Sequence, residues 1–219
     1  LSLSEGPHSD QMKTEIIAIS RKQIDDGKIL PAAEGIKKGR IVVFPTETVY
    51  GVGCRYHDEA ATERIFALKG RDRSKPLGIY LLSVSEVENY AVMGPTAEQL
   101  ARAFLPGPLT LVLPGRKGEK LGFRIPSDEV TRRLIRLAGI PLSGTSANLS
   151  GHRSPTTGSE AISAMEGKVD FIIDGGKTEF ACPSTVIDLC GEPPVVLREG
   201  AIPLEELSRL LACEVRKAF

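Results

Sequence analysis

Between Glu15 and Leu211 the chain alternates between two hydrophobic periods without pausing for a linker, and few architectures accommodate that pattern. Short β-rich runs fall at 16–19, 41–44, 79–82, 109–113, 122–125, 171–174, 184–189 and 195–198. Between several of them apolar residues return at helical spacing, over 32–38, 58–68, 86–90, 97–104, 129–138, 159–166 and 204–211. A strand has to bury a face and a helix a stripe, and each does so against the other. The pattern predicts an α/β fold: one domain with a mixed sheet and flanking helices.

Local punctuation agrees. Ser83 with Glu86 and Thr157 with Glu160 have capping-box spacing, in which a hydroxyl and a carboxylate satisfy free helix N–H groups. Pro31 and Pro203 stand where a first helical turn tolerates proline, and Gly39 and Gly139 follow helical stretches as left-handed caps. Pro106-Gly107-Pro108 reads as a rigid turn into a strand. Residues 1–13 are polar and aperiodic and are expected to be a flexible leader, which leaves 14–219 as the folded domain.

Several function classes fall away. Lys+Arg and Asp+Glu balance at 28 each, against a protein whose main task is neutralising long nucleic acid. A local basic cleft, with room for a weak RNA contact, is still compatible with that balance. The four cysteines, 54, 182, 190 and 213, are scattered without a C-x-x-C pair and read as reduced thiols. No apolar run approaches the roughly 20 residues that span a bilayer, and no signal peptide is evident, so the expectation is a cytoplasmic protein with no membrane role. His8, His57 and His152 form no metal-ligand spacing, so no protein-held metal site is expected. Gly-x-Ser-x-Gly, Walker A and Gly-x-Gly-x-x-Gly patterns are all absent.

What remains is a split constellation. Four cations, Lys69, Arg71, Arg73 and Lys75, crowd the end of a predicted helix. Far downstream, 143–151 is a run of small residues and hydroxyls containing Ser146-Ala147-Asn148. Two such loops facing one another suit polyanionic oxygen; taken separately, each is equally a solvated charged turn or a polar loop. The segment 43–53 begins as a buried strand and turns polar at Thr46-Glu47-Thr48. If extended, it points both threonines to one face and Glu47 to the other. Arg124, inside an apolar strand pattern, needs a partner, because an unpaired buried charge is costly. Spacing leaves a structural salt bridge and a carboxylate clamp equally open, and Arg198 poses the same question.

In order along the chain, Pro45-Thr46-Glu47-Thr48-Val49-Tyr50-Gly51, Lys69-Gly70-Arg71 with Lys75-Pro76-Leu77, Pro106-Gly107-Pro108-Leu109-Thr110, Arg124-Ile125-Pro126, Ser146-Ala147-Asn148-Leu149-Ser150-Gly151, Ser184-Thr185-Val186-Ile187-Asp188 and Leu197-Arg198-Glu199-Gly200 resemble the motifs of the YrdC-like family. The resemblance covers about Ile24 to Leu211. It implies a single YrdC-like catalytic domain over 14–219, with a concave cavity in a twisted sheet. It also implies the activity of the family's best-defined members, the threonylcarbamoyl-AMP synthases. These join L-threonine, bicarbonate and ATP, with Mg²⁺, and release pyrophosphate. Their product feeds downstream tRNA threonylcarbamoyl transferase proteins.

Carried over by motif, L-threonine would meet Thr48, Tyr80, Arg124, Gly144 and Ser184, with Arg124 clamping the carboxylate as a planar fork. ATP would meet Arg71, Lys75, Lys120, Ser146, Ser154 and Arg198. Lys69, Arg71, Ser146 and Asn148 form the Lys-x-Arg and Ser-x-Asn catalytic set. Tyr80 stands where family members usually carry His, and Lys75 where they usually carry Asn or a similar polar residue. The chain ends at Phe219, which reads as the short form without the extra C-terminal domain of longer synthases. Two other readings are carbamoyl transfer or adenylation on another acceptor, as in hydrogenase-maturation modules, and a YciO-type or RNA-binding relative without this activity. The neutral charge and the complete four-residue set count against the latter.

Overall fold

The computed structural model describes residues 12–218; of the expected leader, 1–11 lie outside the described residues. The strands are β1 (Glu15–Ala18), β2 (Val42–Phe44), β3 (Gly51–Arg55), β4 (Gly78–Tyr80), β5 (Leu109–Pro114) and β6 (Lys120–Arg124). They continue with β7 (Leu142–Ser146), β8 (Phe171–Asp174), β9 (Thr185–Asp188), β10 (Val195–Arg198) and β11 (Arg216–Lys217). The helices are α1 (Asp26–Lys37), α2 (Glu59–Lys69), α3 (Pro95–Phe104), α4 (Glu129–Ala138), α5 (Gly158–Met165) and α6 (Leu204–Leu211). Among the described residues the strands form one mixed sheet in the order β1-β8-β2-β3-β7-β4-β6-β5-β9-β10-β11. None of these helices is long and apolar enough to cross a membrane, and all four thiols are free.

The two halves of the sheet are covered differently. In β2 and β8, alternate residues enter different cores, as a period of two requires. Val42, Phe44 and Ile173 pack with α1 and α4, whereas Val43 and Ile172 pack with α2 and α5. In the half built from β4, β6, β5, β9 and β10, a single core serves: Ile79, Phe123, Leu109, Leu111, Ile187 and Val196 pack under α3 and α6. Of the residues alternating with these, Tyr80 packs against the α1 and α4 core, and Gly78, Gly122, Thr110, Val112, Val186 and Asp188 border a cavity.

Each predicted run holds a strand or helix, with some corrections. Two central strands, β3 and β7, are additional; β7 runs through what reads as a polar loop, and pairs with β3 and β4. Pro31 sits inside α1 because Asp25 takes the N-cap, accepting from Gly27 N at 2.8 Å. The stretch at 86–90 is a 3₁₀ helix, Val84–Asn89, and Ser83 bonds the Glu86 carboxylate rather than backbone N–H, so no capping box forms. At α5 half a box forms: Thr157 caps Glu160 N, while Glu160 accepts from Thr156 N. Gly39 and Gly139 do adopt positive φ, 74° and 65°.

Candidate active site

The face left uncovered on β4, β6, β5, β9 and β10 is the floor of a cavity of about 810 Å³. Its middle is flattened by glycine. Gly78 stands in register between Gly144 on β7 and Gly122 on β6, and a Cβ at Gly78 or Gly122 would meet no atom closer than 3.6 Å. Neither has positive φ, so neither backbone strain nor protein packing demands glycine there. Glycine inside a strand costs about 0.5–1 kcal/mol, and what it yields here is depth. On β10 the pairing slips between Val196 and Arg198, and this bulge sets Arg198 opposite Val186 on the cavity face.

Arg124, at the end of β6, is buried at one side of the cavity. Its Nη2 donates to the Glu47 carboxylate and to Thr48 Oγ1, the latter at 3.1 Å. Nε and Nη1 are buried and have no partner in the protein. Because Nη2 belongs to both two-donor edges of a guanidinium, what Arg124 offers a ligand is a single donor on each edge. The segment from Pro45 to Tyr50 bends instead of staying extended, which is how Glu47 and Thr48 reach the same nitrogen. Thr46 holds the bend, its hydroxyl accepting from Thr48 N and Val49 N at 3.2 Å.

Tyr80 lines the cavity beside Arg124, its ring edge-on to Phe44 with centroids 5.5 Å apart. A Cβ at Gly144 would lie 3.0 Å from that ring, so glycine here admits the tyrosine. Burial raises the Tyr80 pKa, with Arg124 opposing, which keeps the hydroxyl neutral. Ser184 Oγ lies 2.9 Å from Thr110 Oγ1 and accepts from Arg198 Nη2 at 3.0 Å.

The cations at the other side are held by neutral oxygen. Arg71 donates to the backbone carbonyls of Lys75 and Pro76 at 2.7 and 3.1 Å, and Arg198 Nε donates to that of Ser184 at 3.0 Å. Burial lowers both guanidinium pKa values; at Arg198 the nearby Tyr80 opposes this while Arg124 and Arg71 add to it. Lys69 is 3% exposed at the end of α2 and donates to the Ser146 and Asn148 carbonyls. Burial, then the neighbouring Arg71, pushes its pKa down to about 8. Lys120 pairs with Asp188 at 2.6 Å.

Of the residues expected from sequence, Thr48, Arg71, Lys75, Tyr80, Lys120, Arg124, Gly144, Ser146, Ser184 and Arg198 line this one cavity. Lys69, Asn148 and Ser154 stand behind its lining. The Asn148 amide donates to the Leu149 and His152 carbonyls at 2.8 Å and accepts from Ser154 Oγ at 3.1 Å. These three brace the loop that follows Ser146. Sequence reasoning did not single out Gly78, Gly122, Thr110 or Asp188 for the site. Their signal is the alternation of β4, β5, β6 and β9, readable only once one face of those strands is known to be open.

Among the described residues no three His, Cys, Asp or Glu side chains cluster as metal ligands do. Among the described residues Asp188 is the one carboxylate residue lining the cavity, and Lys120 already holds it. Mg²⁺ commonly takes one or two carboxylates together with substrate phosphates. This donor set fits an ion arriving on a polyphosphate.

The family model Sua5/YciO/YrdC, described as "Telomere recombination", matches residues 34–200. The threonylcarbamoyl-AMP synthase of Pyrococcus abyssi is 43% identical over 92% of this chain and 62% of that protein. A putative threonylcarbamoyl-AMP synthase of Methanocaldococcus jannaschii is 35% identical over 90% of this chain and 99% of that protein. The crystal structure of P. abyssi Sua5 complexed with L-threonine superposes with a TM-score of 0.88 at 42% identity, over 93% of this chain and 62% of that one. The chain thus spans about three fifths of the length of the P. abyssi protein. On sequence and fold together, this chain belongs to the Sua5/YciO/YrdC family.

Proposed function

We propose that the cavity forms threonylcarbamoyl-adenylate from L-threonine, bicarbonate and ATP, for threonylcarbamoyladenosine modification of tRNA. The observation that carries this reading is Arg124, whose buried Nε and Nη1 lack acceptors, in one cavity with Arg71 and Arg198, two cations bonded to carbonyl and hydroxyl oxygen and not to a carboxylate. Desolvated donors of that kind are costly unless a ligand supplies the acceptor. A single carboxylate suits Arg124, and a polyphosphate suits the cluster beyond it.

In this reading Arg124 and Thr48 hold the amino-acid carboxylate, and Tyr80, Gly144 and Ser184 shape the pocket around the rest. The threonine amine condenses with bicarbonate, losing water, and gives a carbamate. A carbamate oxygen then attacks the α-phosphorus of ATP, and the bond to pyrophosphate breaks. Arg71, Lys75 and Arg198 offset charge on the phosphates as it shifts toward the leaving group, with Ser146 beside them. Lys69, Asn148 and Ser154 hold the loop that presents Ser146, and Lys120 contacts the nucleotide from the floor. Mg²⁺, bound through the phosphates, would neutralise further charge. The product would pass to tRNA threonylcarbamoyl transferase proteins in the cytoplasm, where four unpaired thiols are at home.

Pyrophosphate release from ATP is expected to require both L-threonine and bicarbonate and to collapse in Arg71→Ala. Release that is indifferent to threonine would overturn the substrate assignment.

A further inference from the structure

Glu47 and Arg124 form a buried pair whose two halves are unequally satisfied. Side-chain exposures are 2% and 4%. The Glu47 carboxylate accepts from Arg124 Nη2 on one oxygen, and from Ser127 N and Asp128 N at 3.2 and 3.4 Å on the other. Its backbone carbonyl accepts from Phe180 N at 2.8 Å. Within the pair, the atoms left without a partner are Nε and Nη1 of Arg124. A buried ion pair kept only for stability is worth little unless both partners are fully bonded. Here the carboxylate is complete and the guanidinium incomplete, on a residue that lines the cavity.

We propose that Glu47 is a positioning residue: it fixes the Arg124 guanidinium to the start of α4 so that an edge with an unpartnered donor, Nε on one edge or Nη1 on the other, stays turned to the carboxylate of the amino-acid substrate. The proposal rests on the reading above and deepens it. Glu47 does not line the cavity; it acts through Arg124. Its two backbone donors, Ser127 and Asp128, immediately precede α4, so the guanidinium is referenced to a helix instead of to a loop. Held by Glu47, Arg124 also carries little net charge and accepts a carboxylate without attracting the polyphosphate meant for the other side.

The test is Glu47→Gln, which keeps the shape and removes the charge, in the pyrophosphate-release assay with the whole chain. The KM for L-threonine is expected to rise about 10–100-fold, the range a charged hydrogen bond commands. The kcat and the KM for ATP should stay within about threefold. L-threoninamide, which lacks the carboxylate, is the second probe: the advantage of L-threonine over it as a ligand should shrink by the same factor. An unchanged threonine KM, or a parallel loss of threonine and ATP binding with a lowered Tm, would overturn the proposal. Should the glutamine variant fail to fold, Glu47→Asp is read by the same criteria. Threonine-independent turnover by the unaltered protein would sink the parent reading; threonine-dependent turnover that Glu47→Gln leaves intact would sink the positioning role alone.

Discussion

The two sides of the cavity hold their cations in opposite ways. Arg124 is neutralised by a carboxylate and buried, whereas Lys69, Arg71 and Arg198 are held by carbonyl oxygens, which orient a charge without cancelling it. A neutralised guanidinium with spare donors selects for geometry, one small anionic group at a time. A cluster of cations without salt-bridge partners selects for charge, and several together suit a polyanion. The difference puts two kinds of anion-accepting group in one cavity.

The largest expected effect separates the sides by stability. Arg124→Ala strands the Glu47 carboxylate in the interior and should cost about 3–5 kcal/mol in urea denaturation. Arg71→Ala, which breaks hydrogen bonds to carbonyls and strands no buried carboxylate, should stay within about 1 kcal/mol; equal losses would erase the contrast. A second effect is ionic. Raising salt to roughly 0.5 M should weaken ATP binding about tenfold, measured by calorimetry, and L-threonine binding less than about twofold, because exposed charge is screened and buried charge is not.

The smallest effect is a proton. Lys69 sits at about 8 against an ordinary 10.5, so the unfolded chain keeps a proton that the folded protein sheds between those values. Stability from this group should therefore rise with pH across that window and be flat in Lys69→Met. Phosphate nearby favours the charged form, so ATP binding near pH 8.5 should take up protons, seen as a buffer-dependent calorimetric heat that Lys69→Met abolishes.

Strands such as β5 and β8 were legible because branched and apolar side chains announce them. β3 and β7 were not, and they pair with each other, Gly53 opposite Gly144. A Cβ at Gly53 would lie 2.7 Å from the Ser143 carbonyl, so close backbone packing removed the side chains that carry a strand signal. Glu47 shows the same limit at the site. It stood among the quoted motif residues, yet its role depends on a bend that brings it to the same nitrogen as Thr48.

The sequence by itself determined the alternation of elements, the α/β class and the ordered set of motifs, all of them properties of neighbours along the chain. Tertiary structure alone decided that one half of the sheet lies open, that ten expected residues share a cavity while Lys69, Asn148 and Ser154 brace it from behind, and that Arg124 is both salt bridge and available donor. The physical reason is that periodicity says which residues share a face, whereas burial and hydrogen bonding depend on what the rest of the chain brings against that face.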